Sequence, residues 1–262
     1  MGHNPRRMSR IVAIANQKGG VGKTTTAINL AAAIAAFDKR VLLLDLDPQA
    51  NATSGLGFSK REELTTYRGL LSGDMAPSIR ESGFANLWVA PSGRDLVGAE
   101  IELVSQPDRE SRLRFSLGNV RSSYDLILID CPPSLSLLTV NALAAADSVL
   151  VPIQTEYFAL EGLSELLETV ERIRGSFNPL LAIEGVVLTM FDERTNLGKQ
   201  VVEDIRSHLG EKVFETVIPR NVRLGEAPSF GKPVLAYDIK SRGAESYLAL
   251  AREFLKRRGP AA

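Results

Sequence analysis

The chain has 262 residues and carries 31 Lys+Arg against 31 Asp+Glu, so its formal net charge is zero. With 44% hydrophobic and 24% charged residues, it has the composition of a globular protein, long enough for one large α/β domain or two small ones. Cys131 is the only cysteine, which excludes a disulfide framework, a multi-cysteine zinc site and an iron–sulfur cluster held within one chain. No apolar run reaches the ~18–20 residues of a spanning helix, and the basic N-terminus leads into no signal-type segment, so we expect a cytoplasmic protein with no membrane partner.

Short apolar runs alternate with longer helical patterns along the chain. Residues 1–9 are predicted to be a basic, flexible extension and residues 10–262 a single domain. The predicted strands, apolar enough to be buried on both faces, are Ile11–Ala15, Val41–Leu44, Leu87–Ala90, Leu126–Ile129, Val149–Ile153 and Val186–Leu188. The predicted helices are Lys23–Phe37, Leu135–Ala145, Leu160–Arg174, Lys199–Leu209 and Gly243–Arg258. Residues 53–123, rich in Gly and Pro, are interpreted as an insertion within the same domain. The alternation predicts a doubly wound, mostly parallel α/β sheet.

A glycine-rich turn joins the first predicted strand to the first predicted helix. Glycines let the backbone wrap so that its N–H groups point at phosphate oxygens, and the helix adds its positive N-terminal end. Lys23 supplies a cation for the β and γ phosphates, and the Thr24 hydroxyl is placed to bind Mg²⁺. These features predict a nucleoside triphosphate site formed by Lys18, Gly19, Gly20, Val21, Gly22, Lys23, Thr24 and Thr25. Its spacing departs from the usual G-x-x-x-x-G-K-[ST], because Gln17 stands where that pattern has glycine.

Acidic residues end two of the predicted strands. Asp45 and Asp47 follow Val41–Leu44 in the segment D-L-D-P-Q, and Asp130 follows Leu126–Ile129. Parallel sheets bind ligands at the carboxyl ends of their strands, so Asp130 is a candidate to hold Mg²⁺. Taken alone, the acid of either strand could equally be a strand-end cap or a surface carboxylate. The adjacent phosphate site favours a role in nucleotide chemistry. Cys131 is interpreted as a packed thiol.

The loop from Lys18 to Thr24 resembles the deviant Walker A motif of the ParA/MinD ATPases, which have a P-loop NTPase-like fold. The resemblance implies that Lys18 reaches across a dimer interface to the phosphates of the partner's ATP; the alternative is a solvated turn lysine. It also implies that Asp47 orients the attacking water near the metal, with Asp45 in support. Lys18, Lys23 and Asp47 are therefore the candidate catalytic residues, and Thr24, Asp47 and Asp130 the candidate metal residues.

The resemblance becomes closer to the chromosomal ParA/Soj pattern over nearly the whole chain from Arg10 onward. The matching strings are Asn16–Asn29, Asp47–Gly57, Phe158–Leu163, Leu188–Asp192, Ile218–Arg223 and Glu226–Pro233. This family implies ATP and Mg²⁺ as cofactors, an ATP-dependent homodimer, non-specific DNA binding on the nucleoid, and hydrolysis stimulated by a ParB-type centromere-binding protein. It also implies that Pro219 and Asn221 lie beside the adenine. Ala50 is a departure, because the family usually has glycine there, next to the water-positioning segment.

Charge is distributed unevenly: residues 194–262 hold 13 Lys+Arg and 8 Asp+Glu, a balance of +5, and residues 1–193 a balance of −5. Arg194 and Arg223 match the basic residues that contact DNA in Soj-type proteins, and both lie in the positive stretch. The alternative for each is a solvated or ion-paired arginine. Less certain contributors are Lys199, Lys232, Lys240 and Arg242.

Two other functions stay open. A MinD-like positioning ATPase would bind membranes through a basic amphipathic tail, and the last predicted helix ends in Lys256-Arg257-Arg258. Its apolar stripe is more typical of a face docked on the domain. That stripe consists of Tyr247, Leu248, Ala251, Phe254 and Leu255. A small-molecule synthetase could use the same phosphate loop, although the Soj-like C-terminal strings argue against it.

Overall fold

The computed structural model of the chain describes residues 9–156 and 159–257, and for 159–161 the backbone alone. Most of the predicted N-terminal extension (residues 1–8), the first residue of the string Phe158–Leu163, and Arg258 therefore lie outside the described residues.

The strands form one sheet. The described residues contain β1 (Arg10–Ile14), β2 (Val41–Asp45), β3 (Arg80–Glu81), β4 (Leu87–Ala90), β5 (Leu126–Asp130), β6 (Ser148–Gln154) and β7 (Ala182–Thr189). Their order is β3-β4-β2-β5-β1-β6-β7, and every neighbouring pair is parallel except β3 with β4. The carboxyl ends of β1, β2 and β5 therefore meet at the same edge of the sheet.

Helices cover both faces of this sheet. Within the described part of the chain they are α1 (Lys23–Ala35), α2 (Asn51–Gly55), α3 (Thr66–Ser72), α4 (Leu96–Leu103), α5 (Arg112–Leu117), α6 (Leu137–Ala145), α7 (Ala159–Ser176), α8 (Asn196–Leu209), α9 (Val222–Glu226), α10 (Val234–Tyr237) and α11 (Arg242–Lys256). Alternate residues of β1 belong to two separate apolar cores, one shared with α3 to α8 and the other with α1, α2 and α9 to α11. The predicted fold, one doubly wound and mostly parallel α/β domain, is confirmed.

Element boundaries differ from prediction where side-chain caps and chain reversals set them. α8 begins three residues before the predicted Lys199, because the Thr195 hydroxyl accepts a hydrogen bond from the Gly198 N–H and caps the helix. α1 ends at Ala35 instead of Phe37, just before Asp38 takes a left-handed φ of 57°. Residues 53–123 join the main sheet, since β4 pairs with β2. They also contain β3, α3, α4 and α5, which were not predicted from the sequence pattern.

The C-terminal helix packs on the domain through most of its apolar stripe. Tyr247, Ala251 and Phe254 of α11 are buried, whereas Leu248 is half-buried and Leu255 is 39% exposed. α11 lies against α1, and the Tyr247 hydroxyl is hydrogen-bonded to that of Thr26 at 3.1 Å. Among the described residues, no helix is both long and apolar enough to cross a membrane.

Candidate nucleotide site

The glycine-rich turn forms an open cradle between β1 and α1. Gly20 and Gly22 take left-handed φ angles of 75° and 86°, which glycine adopts without strain. A Cβ added at Gly19 or Gly20 would meet no atom within 4 Å, so the space above the turn is free. Gly22 caps α1 with no side-chain hydrogen bond, and the first turn of α1 contains no acidic residue. The N–H groups of this helix end are therefore available to an anion.

Neighbouring strands hold the cradle in shape. The Asn16 amide donates to the Pro152 carbonyl at 2.8 Å, and its oxygen accepts the Lys18 N–H at 3.0 Å. On the other side, the Thr189 hydroxyl at the end of β7 donates to the Val21 carbonyl at 2.8 Å. These contacts fix both halves of the turn before any ligand binds, which lowers the cost of ordering it.

Lys23 reaches back across this turn. Its ammonium is buried and donates to the Lys18 carbonyl at 2.9 Å. Burial lowers the pKa of Lys23, and the negative charges of Asp130 and Asp47 oppose that shift. Lys23 therefore lies within electrostatic reach of both acids.

Asp130 is a fully buried carboxylate at the carboxyl end of β5. Neither of its oxygens has a partner of normal geometry among the described residues. Burial raises its pKa well above the usual range, the charge of Asp45 adds to this effect, and the Thr24 hydroxyl opposes it. A buried carboxylate left without partners is costly unless a cation or a ligand satisfies it.

These residues fit a magnesium ion that shares its ligands with phosphate. Within residues 9–156 and 159–257, no group of three or more His, Cys, Asp and Glu side chains could hold a metal by itself. Mg²⁺ is commonly bound by one or two carboxylates together with substrate phosphates and water. Asp130 and the half-buried Thr24 hydroxyl match that donor set.

Asp45 and Asp47 differ although they are two residues apart. Asp45 is buried on β2 in register with Asp130, and its carboxylate accepts hydrogen bonds from the Thr53 hydroxyl (2.7 Å), the Thr53 N–H (2.8 Å) and the Asp47 N–H (3.1 Å). Burial raises the pKa of Asp45 to about 6, while the bonds from Thr53 oppose the shift. Asp47 accepts the Gln49 N–H on Oδ1 at 2.9 Å, and its Oδ2 makes no hydrogen bond within the described residues. Asp45 is therefore structural, and Asp47 keeps one oxygen for a ligand.

Ala50 is held in the left-handed conformation that glycine prefers. Its φ is 53° and ψ 43°, its methyl is fully buried, and its N–H donates to the Asp47 carbonyl at 2.8 Å. The left-handed conformation costs an L-residue about 1–2 kcal/mol. Burying the methyl, together with the greater freedom of glycine in the unfolded chain, returns about the same amount.

We therefore expect Ala50→Gly to leave the free energy of unfolding within about 1 kcal/mol of the parent, since these opposing effects cancel. Urea unfolding of both proteins measures the difference. A change beyond roughly 2 kcal/mol in either direction would contradict this balance.

The Lys18 side chain lies at the surface, in contact with the segment that follows β6. It is 39% exposed, and its ammonium lies 3.5 Å from Glu156 Oε2. Beside it is a cavity of about 380 Å³ lined by Gln17, Lys18, Pro133, Ser134, Leu135, Gly162 and Glu165. Exposed ion pairs of this kind contribute roughly 0–1 kcal/mol, so Lys18 is free to move to another anion.

The predicted adenine residues lie next to the strand that supports the cradle. Phe191 and Pro219 pair as an isolated parallel bridge, two residues beyond Thr189. Both Pro219 and Asn221 are half-buried there, and Asn221 caps α9 by accepting the Arg223 N–H at 3.1 Å. The structure thus brings Pro219 and Asn221 to the same end of the sheet as the cradle.

The two predicted DNA-contacting arginines are exposed but ion-paired. Arg194 is 83% exposed and binds the Asp192 carboxylate with two hydrogen bonds of 2.9 and 2.7 Å. Arg223 is 49% exposed and contacts Glu226 at 2.7 Å and Asp238 at 3.2 Å. The ion-paired alternative therefore describes this structure, although both guanidinium groups remain open to solvent.

Three buried hydroxyl residues of the site were not predicted from the sequence: Thr53, Ser92 and Thr189. Each binds a backbone or a carboxylate, and none stands in a pattern that predicts chemistry. Thr53 and Thr189 fall in the matching strings Asp47–Gly57 and Leu188–Asp192, but the family resemblance assigned neither of them a role. Cys131 is buried, and burial raises the pKa of its thiol, which makes it a packed group and not a nucleophile.

Known proteins similar to this chain agree with this geometry. A family model described as an AAA domain matches residues 9–183. The chromosome partitioning protein ParA of Myxococcus xanthus (strain DK1622) is 56% identical over 256 residues, which cover 97% of this chain and 90% of that protein. The sporulation initiation inhibitor protein Soj of Bacillus subtilis (strain 168) is 57% identical over 248 residues, covering 94% and 98%. Cobyrinic acid a,c-diamide synthase of Mycobacterium smegmatis, solved with bound ADP and magnesium, has a TM-score of 0.83 at 33% identity, covering 96% of this chain and 98% of that one.

The partition proteins are more similar in sequence than the synthase, and they match nearly from end to end. The sheet, the phosphate loop and the acids at the strand ends are those expected of the same family. The chain therefore belongs to the ParA/Soj family of chromosome-partitioning ATPases.

Proposed function

We propose that this chain hydrolyses ATP to drive partition of a chromosome or plasmid, as an ATP-dependent dimer that binds DNA non-specifically on the nucleoid. The observation that carries the nucleotide chemistry is the buried Asp130 carboxylate. It lies within electrostatic reach of the buried Lys23, and in the described part of the chain no group makes a hydrogen bond of normal geometry with it. ATP with Mg²⁺ satisfies both groups at once.

Different residues of the site bind the phosphates, hold the metal and orient the attacking water. Backbone N–H groups from Gly19 to Thr25 hold the phosphates, and Lys23 exchanges the Lys18 carbonyl for phosphate oxygens. Thr24 and Asp130, with Asp47 nearby, hold Mg²⁺, which neutralises charge on the transferring phosphoryl group when bound. Asp47 orients the attacking water through Oδ2, the oxygen that Gln49 leaves free.

Dimerisation supplies the second cation. Lys18 leaves its weak contact with Glu156 and reaches the phosphates of the partner chain's ATP, where it stabilises charge on the transferring group. Pro219 and Asn221 border the adenine from the neighbouring strand end.

The proposed DNA surface brings together two loops of the positive stretch. The bridge between Phe191 and Pro219 places the loop carrying Arg194 beside the segment that leads into α9, the helix carrying Arg223. Arg242 joins them through its 3.0 Å ion pair with Glu193. DNA phosphates would compete with the acidic partners of these arginines, and a dimer would double the patch.

We expect Arg223→Ala to weaken ATP-dependent DNA binding about tenfold or more and to flatten the dependence of log K on log salt by about two, because each chain of the dimer loses one phosphate contact. Fluorescence anisotropy at several salt concentrations measures both quantities. Arg40→Ala is the matched control: Arg40 is 44% exposed and ion-paired with Asp125, but lies just before β2 at the opposite end of the sheet. An equal loss in both variants, or none in Arg223→Ala, would contradict the assignment.

One assay separates the proposal from its alternatives. The ATPase rate is measured alone, with double-stranded DNA, with a ParB-type protein, and with both. We expect the highest rate with both, whereas a synthetase would respond to neither. Co-sedimentation with liposomes in the presence of ATP tests the MinD-like alternative, which the burial of most of the α11 stripe disfavours.

A further inference from the structure

A closed ring of buried hydrogen bonds holds the backbone of Asp47. The Ser92 hydroxyl donates to the Asp47 carbonyl at 2.8 Å, and the Ser92 N–H donates to the Thr53 hydroxyl at 2.7 Å. Thr53 in turn donates to the Asp45 carboxylate, which accepts the Asp47 N–H. Ser92, Thr53 and Asp45 are all completely buried. The Asp47 peptide groups are thus held from both sides.

The sheet register explains why Ser92 reaches Asp47 from 45 residues away. β4 runs parallel to β2 with Ala90 opposite Leu44. Continuing this register past both strand ends places Ser92 level with Leu46, next to Asp47. The carbonyl that Ser92 binds belongs to the Asp47–Pro48 peptide, which begins the turn closed by the Ala50 N–H. A hydrogen bond at this point restricts how the turn, and with it the Asp47 side chain, can rotate.

We propose that Ser92 is a positioning residue for ATP hydrolysis, which holds Asp47 so that its free carboxylate oxygen faces the attacking water. This inference rests on the proposed role of Asp47. Ser92 contacts neither the cradle nor Lys23 in any described hydrogen bond, so it acts through Asp47 and not on the nucleotide. Its loss should therefore change the rate of hydrolysis and leave nucleotide affinity intact.

The test compares Ser92→Ala with Ser78→Ala in the full-length chain with Mg²⁺, ATP and DNA. Ser78 is equally buried and donates one hydrogen bond of 2.8 Å to a backbone carbonyl, that of Thr65, outside the ring. The Asp47 carbonyl keeps the Ala50 N–H as a donor, so Ser92→Ala leaves no orphaned acceptor and should fold. Thermal unfolding should show small, similar losses of stability in both variants.

We expect kcat of Ser92→Ala to fall roughly 10- to 100-fold with the KM for ATP within about twofold, because a slightly misplaced catalytic group costs rate and not binding. Ser78→Ala should keep the parent kcat, and Ser92→Thr, which retains the hydroxyl, should recover most of the rate. In an Asp47→Asn background, Ser92→Ala should cause no further loss, since it acts through the same carboxylate.

The controls separate failure of this inference from failure of the proposed function. A parent-like rate in Asp47→Asn would overturn the role of Asp47, and the role of Ser92 with it. If Asp47→Asn is slow but Ser92→Ala keeps the kcat of Ser78→Ala, or raises KM in place of lowering kcat, the Ser92 inference alone is overturned.

Discussion

The Lys18→Ala variant is expected to stay monomeric with ATP and Mg²⁺, although it still binds nucleotide. Among the residues that the structure describes, the Lys18 ammonium contacts Glu156 alone, at the surface, while Lys23 reaches into the cradle. Its charge is therefore available to a second chain. Removing one partner of an interfacial charge pair costs about 2–5 kcal/mol. A two-fold symmetric dimer loses two such pairs, which raises its dissociation constant by at least about a thousandfold.

Sedimentation velocity with a non-hydrolysable ATP analogue measures this loss of dimerisation. The ATPase rate should fall as well, by about a thousandfold or more, because Lys18→Ala removes a cation that reaches the phosphates only when the dimer assembles. Two variants serve as controls. Lys39→Ala removes an exposed lysine at the opposite end of the sheet and should dimerise normally. Glu156→Gln removes the intramolecular partner of Lys18 and should dimerise at least as well as the parent. A normal nucleotide-dependent mass shift in Lys18→Ala would exclude a role across the interface.

The core strands were predictable because burial on both faces leaves a continuous apolar run. In the structure, two strands are one residue longer than predicted at Val41–Leu44 and Leu126–Ile129. In both cases the added residue is the aspartate at the carboxyl end of the strand. The short helices α3 and α5 were not predicted. At 6 to 7 residues they are too short for a period to be read, and their stability comes from packing against the sheet.

The nucleotide site also contains some residues that the sequence predicted and others that it did not. Lys23 and the acids stood in motifs whose spacing carries chemistry, and in the structure Lys23 lies within electrostatic reach of Asp47 and Asp130. Ser92 gave no such signal, because a serine after an apolar strand is common and its partner lies 45 residues away in sequence. The ion pairs of Arg194 and Arg223 likewise depend on side-chain conformations that composition and charge balance cannot determine.

Asp130→Asn is expected to stabilise the ligand-free protein and to abolish its stabilisation by Mg²⁺ and ATP. The Asp130 carboxylate is buried and lies in register with the acid Asp45, and within residues 9–156 and 159–257 no group makes a hydrogen bond of normal geometry with it. An amide of nearly the same shape removes this uncompensated charge. Because burying an unsatisfied charged group costs more than burying an unsatisfied neutral amide, we expect the free energy of unfolding without ligand to rise by about 1–3 kcal/mol.

The opposite result is expected once ligand is added. A ligand that binds only the folded state stabilises it by about 4.1 kcal/mol at a thousandfold excess over its dissociation constant. The parent protein should gain this amount from Mg²⁺ and ATP, whereas Asp130→Asn should gain little, so the order of the two melting temperatures reverses on adding ligand. Asp45→Asn is the matched control on the neighbouring strand, equally buried but accepting three hydrogen bonds, and it should be less stable than the parent in both conditions. If Asp130 were a structural acid like Asp45, its variant would melt below the parent with and without ligand, and no reversal would occur.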